Sequence, residues 1–376
     1  MVVVGGITRL TLSGLSITEW HPVIGIIPPL THAQWAAEFA RYQQVPEYRA
    51  VHYGMSLDDF KTIFFWEYSH RLLGRLIGIA FAVPLVWFWV RGRLPRGLAP
   101  VLLAILALGG AQGLLGWYMV ESGLVHRVEV SQYRLVAHLA LALAIYSLIL
   151  WTALGLAFPM RSFVRKREQL ALNVGQAERD GTDFSLARHP HPALLSQPTG
   201  KEDKNRTAAV YHPQPIPPLW RRAAEALIVL VGLTIAAGGF VAGTRAGLTY
   251  NTFPLMDGRM VPAGYDLLHP FVRNWFENIP AIQFDHRLLA ETTFAFVMAL
   301  GVTTLRSALP RPSRIALGAL FAAVLVQVTL GISTLLLVVP VPLAAAHQAG
   351  AVVLLTAAIV FRHSLRPRIG AEVPQA

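Results

Sequence analysis

Four histidines, His70, His138, His286 and His347, stand inside or at the edge of long apolar stretches of this 376-residue chain. Ionisable groups at such positions are costly and mark function by default. A single one is equally well explained by a hydrogen bond to a neighbouring helix. Four at equivalent places in an internal repeat change that balance. Glu67-Tyr68-Ser69-His70-Arg71-Leu72-Leu73-Gly74 matches Gln283-Phe284-Asp285-His286-Arg287-Leu288-Leu289-Ala290. Gln112-Gly113-Leu114-Leu115-Gly116 matches Gln327-Val328-Thr329-Leu330-Gly331, and Val136-Ala137-His138-Leu139-Ala140 matches Ala345-Ala346-His347-Gln348-Ala349. Upstream, Thr8-Arg9 with Ser13-Gly14-Leu15-Ser16 echoes Thr244-Arg245 with Ala246-Gly247-Leu248-Thr249. Each half thus offers two histidines, on its second and fourth helices, within about two turns of their outer ends. Two helices presenting histidines at one depth can ligate one iron from both faces, as haem iron is held in proteins. A zinc ion usually takes three or four protein ligands, so a pair per half favours haem.

Charged neighbours extend the pattern. Arg71 and Arg287 directly follow the first histidine of each pair. A guanidinium there can hold a haem propionate through two parallel hydrogen bonds, although a lone arginine near an interface is more simply read as reaching for headgroups. Arg9 and Arg245 are weaker candidates of the same kind. The repeat breaks at one place: Glu67, one helical turn before His70, corresponds to Gln283 in the other half. Gln283 cannot exchange protons as an acid–base group, whereas a carboxylate beside a desolvated centre is the expected base. Asp285 adjoins His286 but points elsewhere around the helix. Catalysis therefore falls to the first half, at Glu67, His70 and His138. The second half keeps a structural or electron-transfer haem at His286 and His347. The plain alternative for Glu67 is an interfacial charge.

The elements that must position these groups follow from composition. The chain is 54% hydrophobic and 14% charged, against roughly 25% charged in ordinary globular domains, and its mean hydropathy is +0.48. Charge is missing from runs of about 20 residues, the length that spans a bilayer core. In lipid the backbone must satisfy its own hydrogen bonds, so such runs are helices. The fold class is an all-α polytopic membrane protein, with lipid rather than nucleic acid as the partner of its +11 net charge. Absence of cysteine excludes disulfides, thiolate metal sites and iron–sulfur clusters.

Seven complete spans are expected at about 69–90, 99–120, 133–157, 223–244, 286–305, 314–337 and 341–361. Met1 to Gly6 reads as the end of an eighth span whose beginning is missing; it is too short for a signal peptide. The basic loops at 91–96, 161–167, 221–222, 306–314 and 362–368 all fall on one side, which the arginine bias makes cytoplasmic. Segments 7–66 and 246–284, with turns near 121–132 and 338–342, face outward. Residues 159–220 are polar and proline-rich, lack an apolar pattern and read as a cytoplasmic linker; a metal site at its His189, His191 and His212 is a remote prospect. The domains expected are an N-terminal half 1–158, the linker 159–220 and a C-terminal half 221–376. An even number of spans per half makes the repeat parallel, giving two four-helix bundles related by a pseudo-twofold along the membrane normal.

Gly5 to Ser16, Phe65 to Arg75, Phe284 to Arg287 and Ala346-His347-Gln348 resemble the segments of haem A synthases, and the resemblance covers nearly all of the chain outside the linker. It implies an inner-membrane enzyme that oxidises the C8 methyl of haem O to the formyl of haem A by successive hydroxylations and loss of water. It implies that Glu67, His70 and His138 serve the substrate haem, and that His286 and His347 hold haem b. Implied partners are haem O synthase, haem-copper oxidase assembly factors and an unidentified electron acceptor. One branch of that family carries a cysteine pair in its first outer loop; this chain has none and resembles the alphaproteobacterial and mitochondrial branch. Two other classes fit the histidines taken alone: a di-haem electron carrier, and a parallel-repeat transporter in which histidines relay protons.

Overall fold

Apolar runs that must satisfy their own backbone polar groups leave helices as the economical solution. The computed structural model describes residues 1–19, 24–95, 97–126, 130–158, 217–304 and 309–366. Eleven α-helices lie among them: α1 Val2–Leu10, α2 His32–Tyr42, α3 Pro46–Val51, α4 Leu57–Val90, α5 Ala99–His126, α6 Gln132–Ala157, α7 Pro218–Thr244, α8 Asn274–Glu277, α9 Ile279–Thr304, α10 Arg311–Leu336 and α11 Val341–Ser364. Among the described residues there is no strand, only an isolated bridge between Met256 and Arg259.

Six of these helices, α4, α5, α6, α7, α10 and α11, are long and apolar enough to cross a membrane. All seven expected spans are helical, but α9 lacks an apolar stretch of that length because Asp285, Arg287 and Glu291 crowd its first half. Boundaries also move. Helix α7 begins at Pro218 rather than 223, and α4 begins at Leu57 rather than 69. Most of the expected linker, with His189, His191 and His212, lies outside the described residues.

The early start of α4 is explained by its cap and its packing. Ser56 and Asp59 close a capping box, each side chain taking the other's backbone N–H. The added turns bury Phe60, Ile63 and Phe64 with Tyr42, Val45 and Tyr48 in an aromatic core outside the expected span. Helix α2 enters that core from its own capping box at Thr31 and Gln34. Under the aromatics, the Tyr42 hydroxyl donates to Glu47 Oε2 at 3.2 Å and lies 2.6 Å from His52 Nδ1. The second outer segment uses buried asparagine instead: Asn274 and Asn278 donate to the carbonyls of Leu268, Phe271, Gly264 and Tyr265.

The chain divides into two compact units: residues 1–153 with 218–365, and residues 154–217 with 366–376. The first holds all four histidines. In it, residues from both expected halves interlock. Arg9 donates to the carbonyls of Ala242 and Gly243 at 3.1 and 2.9 Å. Gln348 donates to Val2 O at 3.1 Å, and a Cβ on Gly6 would collide with its amide. Tyr146 and Thr356 hydroxyls meet at 2.6 Å, and Tyr133 donates to Glu277. Of the second unit, the described residues are the last turn of α6, Phe158, Pro217 and Arg366.

Burial is uneven. In the most apolar stretches of α4, α5 and α6 only 6% of residues are buried, against 22% in α10 and 33% in α11. The outer surface of α4, with Val83, Val86, Trp87 and Val90 exposed, is what a lipid-facing helix requires.

Candidate functional site

Each of the four histidine rings lies against a glycine of a neighbouring helix. A Cβ built on Gly238 of α7 would sit 3.0 Å from His286 Cε1, and one on Gly331 of α10 would sit 2.8 Å from His347 Cε1. Gly116 of α5 stands in the same relation to His138 at 3.0 Å. Gly5 of α1 faces His70, but here Nε2 is the nearest atom, at 2.9 Å. All four histidines are half-buried as whole residues. His70 and His286 face glycines of α1 and α7, and His138 and His347 face glycines of α5 and α10. The structure thus gives all four expected histidines the same kind of seat, a ring against a glycine of another helix.

Their depths differ from expectation at one position. His138 and His347 are each the seventh residue of α6 and α11, and His286 is the eighth of α9. His70 is the fourteenth residue of α4, because the additional turns of that helix belong to the outer aromatic core. The glycine contacts also set the register of the first helices. With Gly5-Gly6 matched to Gly238-Gly239, Ser13 to Ser16 fall on Ala246 to Thr249 without a gap, and Arg9 falls on Ala242. The expected pairing of Thr8-Arg9 with Thr244-Arg245 is therefore out of step.

The same register runs through the polar contacts. Arg71 donates to Ile17 O at 3.0 Å and Glu19 O at 3.3 Å; Arg287 donates to Tyr250 O at 2.7 Å and Thr252 O at 2.8 Å. These carbonyls are equivalent pairs. Beside them sit the two residues that break the repeat. Glu67, 2% exposed, accepts from Ser16 Oγ at 2.8 Å, Ile17 N–H at 2.7 Å and Arg71 Nη2 at 2.6 Å. Gln283, also 2% exposed, instead donates its amide to Tyr250 O at 2.9 Å. One seat therefore holds a carboxylate facing N–H and O–H donors, the other an amide facing a carbonyl. Three donors, one of them charged, converge on the Glu67 carboxylate. Asp285 turns to the outer segment, accepting from Tyr265 at 2.9 Å.

A haem fits these donors. Iron takes the lone pair of one imidazole nitrogen, and the other nitrogen of a metal-bound histidine usually donates to a fixed acceptor. His286 Nδ1 lies 3.1 Å from Thr234 O, so Nδ1–H donates there and Nε2 carries the lone pair. Buried polar atoms without a protein partner cluster around the sites: His138 Nδ1, Gln112 Oε1, Gln283 Oε1, Gln327 Oε1 and Arg287 Nε. The arginines expected at the propionates are largely committed to backbone carbonyls, leaving Arg287 Nε as a spare donor. Glycines 5, 116, 238 and 331, with Ser16, Thr234, Gln112 and Gln327, are site residues that the sequence does not single out. Of these, only Gln112, Gly116, Gln327 and Gly331 carry a signal of their own, the recurring Gln-x-x-x-Gly of residues 112–116 and 327–331.

A family model for a cytochrome oxidase assembly protein, COX15-CtaA, matches residues 1–175 and 201–359. The chain is 46% identical over 366 residues to the heme A synthase of Nitrosospira multiformis, covering 97% of this chain and 89% of that protein. It is 45% identical over 367 residues to the heme A synthase of Rhodospirillum centenum, covering 98% of this chain and 85% of that one. With a match over most of its length and with relatives at this identity, the chain belongs to the COX15-CtaA family of cytochrome oxidase assembly proteins.

Proposed function

We propose that the chain acts as a haem A synthase, an oxidoreductase that converts the C8 methyl of haem O to a formyl group with oxygen taken from water. The observation that carries the assignment of roles is the pair of equivalent seats holding Glu67 and Gln283. In this reading the halves are two four-helix bundles related by a pseudo-twofold, in the inner membrane, with the linker and C-terminus cytoplasmic and the sites near the outer face. Residues 1–158 take haem O between His70 and His138. Residues 221–376 hold haem b between His286 and His347.

Turning a methyl and a water into a formyl group releases four protons and four electrons. Glu67 takes protons at its carboxylate, which Ser16 and the Ile17 amide hold in place. Arg71 compensates the charge and ties the outer segment over the site through Ile17 O and Glu19 O. Arg287 Nε is a donor of the kind a propionate accepts, whereas Arg71 acts chiefly through Glu67. Gly5 and Gly116, which lack side chains, let the His70 and His138 rings pack against α1 and α5. Haem b, when bound, supplies one-electron transfer toward an acceptor of unidentified nature. Haem O synthase upstream and haem-copper oxidase assembly factors downstream are the partners this chemistry requires.

The first test is expression with and without a haem O synthase, followed by haem extraction. Haem b in both cases, and haem A only where the haem O synthase is present, is the expected result. Glu67→Gln then reproduces the other half's amide at the same seat. Haem A formation should fall by at least about 10²-fold, the usual contribution of a positioned acid–base group, with haem b content unchanged. Undiminished haem A would remove Glu67 from catalysis; haem b alone from the unaltered chain would favour a di-haem electron carrier.

A further inference from the structure

The two glutamines of the repeated Gln-x-x-x-Gly make different contacts. On α10, Gln327 lies 3.2 Å from His347 Nδ1 through its Nε2, while its Oε1 is buried without a partner. On α5, Gln112 donates to the backbone carbonyl of His138 at 3.0 Å, and both its Oε1 and His138 Nδ1 are buried without partners. An amide turned end over end keeps its shape. If His347 is to offer Nε2 to iron, its proton resides on Nδ1, and only the turned amide, with Oε1 toward the ring, accepts it. That exchange also satisfies the orphaned oxygen. No such acceptor touches His138 among the described residues; its ring is held by Gly116 and not by a hydrogen bond.

We propose that Gln327 is the positioning residue that fixes His347 through Nδ1, and that Gln112 grips the His138 helix while leaving Nδ1 of its ring without a hydrogen bond. The consequence is an asymmetry between two otherwise equivalent seats. A histidine locked at both the glycine and the amide suits a group that stays; a histidine locked only at the glycine suits one that must arrive and leave. This rests on the proposed assignment of haem b to His286 and His347, and it adds the residue that separates a permanent from an exchangeable site.

A hydrogen-bond acceptor on the far nitrogen makes an imidazole a stronger donor to iron and stabilises the oxidised metal. The measurement is a potentiometric titration of haem b in purified full-length protein, with low-temperature electron paramagnetic resonance of the ferric form. Gln327→Leu should raise the midpoint potential and broaden the low-spin signal. Gln327→Glu, a stronger acceptor of the same length, should lower the potential and sharpen the signal, which keeps the proposal testable even where Gln327→Leu fails to bind haem. Gln112→Leu should leave the haem b potential where it is. Equal potentials in the unaltered protein and the Gln327→Glu variant overturn the proposal, as does an equal shift in Gln112→Leu. Unaltered protein without a low-spin bis-histidine signal would instead overturn the underlying haem b assignment before any variant is made.

Discussion

A missing side chain governs how each histidine ring lies. A Cβ on Gly331 would sit 2.8 Å from His347 Cε1, closer than real contacts allow, so the ring must tilt or α10 must retreat. Overpacking of this size costs about 1–3 kcal/mol. Gly331→Ala is therefore expected to lower haem b retained per protein after purification, while Gly318→Ala, with open space at its Cβ, leaves it unchanged. Haem absorbance against protein concentration checks both. The histidines themselves were legible because an ionisable residue is conspicuous in an apolar run and the repeat supplied three more. Gly116 and Gly331 stood in the same repeated strings. A helical glycine costs roughly 1 kcal/mol against alanine, and that penalty at two equivalent positions was the readable sign of a close approach. Ser16 and the Ile17 N–H were not readable, since a backbone donor carries no signature and a serine in a loop has many uses.

Helix α4 shows how a boundary changes meaning. Reading for apolar residues starts it at 69, where charge disappears. The structure starts it at Leu57, because Ser56 and Asp59 cap it and Phe60, Ile63 and Phe64 have an aromatic core to enter. Thr31 and Gln34 marked α2 in the same way, but α2 is too polar to register in a search for spans. This outer core contains its own titrating group. Burial, helped by the nearby Arg245 charge, holds the His52 pKa below its ordinary 6.5. Burial, with Glu47 beside it, pushes Tyr42 well above the usual range, so its hydroxyl stays protonated. Folding thus favours neutral His52, and its contribution is complete above about pH 6.5 and is lost as the pH falls from there toward the lowered value. Hydrogen-exchange protection factors in residues 32–52, which are corrected for the intrinsic pH dependence of exchange, should fall on acidification below about pH 6.5. In His52→Gln, which cannot take up a proton there, that fall in protection should be smaller; an identical profile would show another group responsible.

The seam between the expected halves involves both ends of the helical region. Arg9 reaches Ala242 and Gly243, Gln348 reaches Val2, and Tyr146 meets Thr356. Hydrogen bonds from a charged donor contribute about 1.5–3 kcal/mol each, and glycine at position 6 lets α1 approach Gln348 closely. Cleavage at a protease site introduced near residue 190 should therefore leave both fragments co-purifying in mild detergent; separation on size exclusion would show the seam to be weak. Pairing across such a distance could not be read from the sequence, because a helix of nine residues such as α1 has no pattern that names its partner. It also has a temporal consequence. Val2 and Gln348 are 346 positions apart, and at synthesis rates of about 5–20 residues per second α1 waits roughly 17–70 s for Gln348. During that interval the glycine face of α1 must be sheltered by lipid or by the insertion machinery, so the ribosome's pace, and any pause along residues 159–220, sets how long a half-built site stands open to proteolysis.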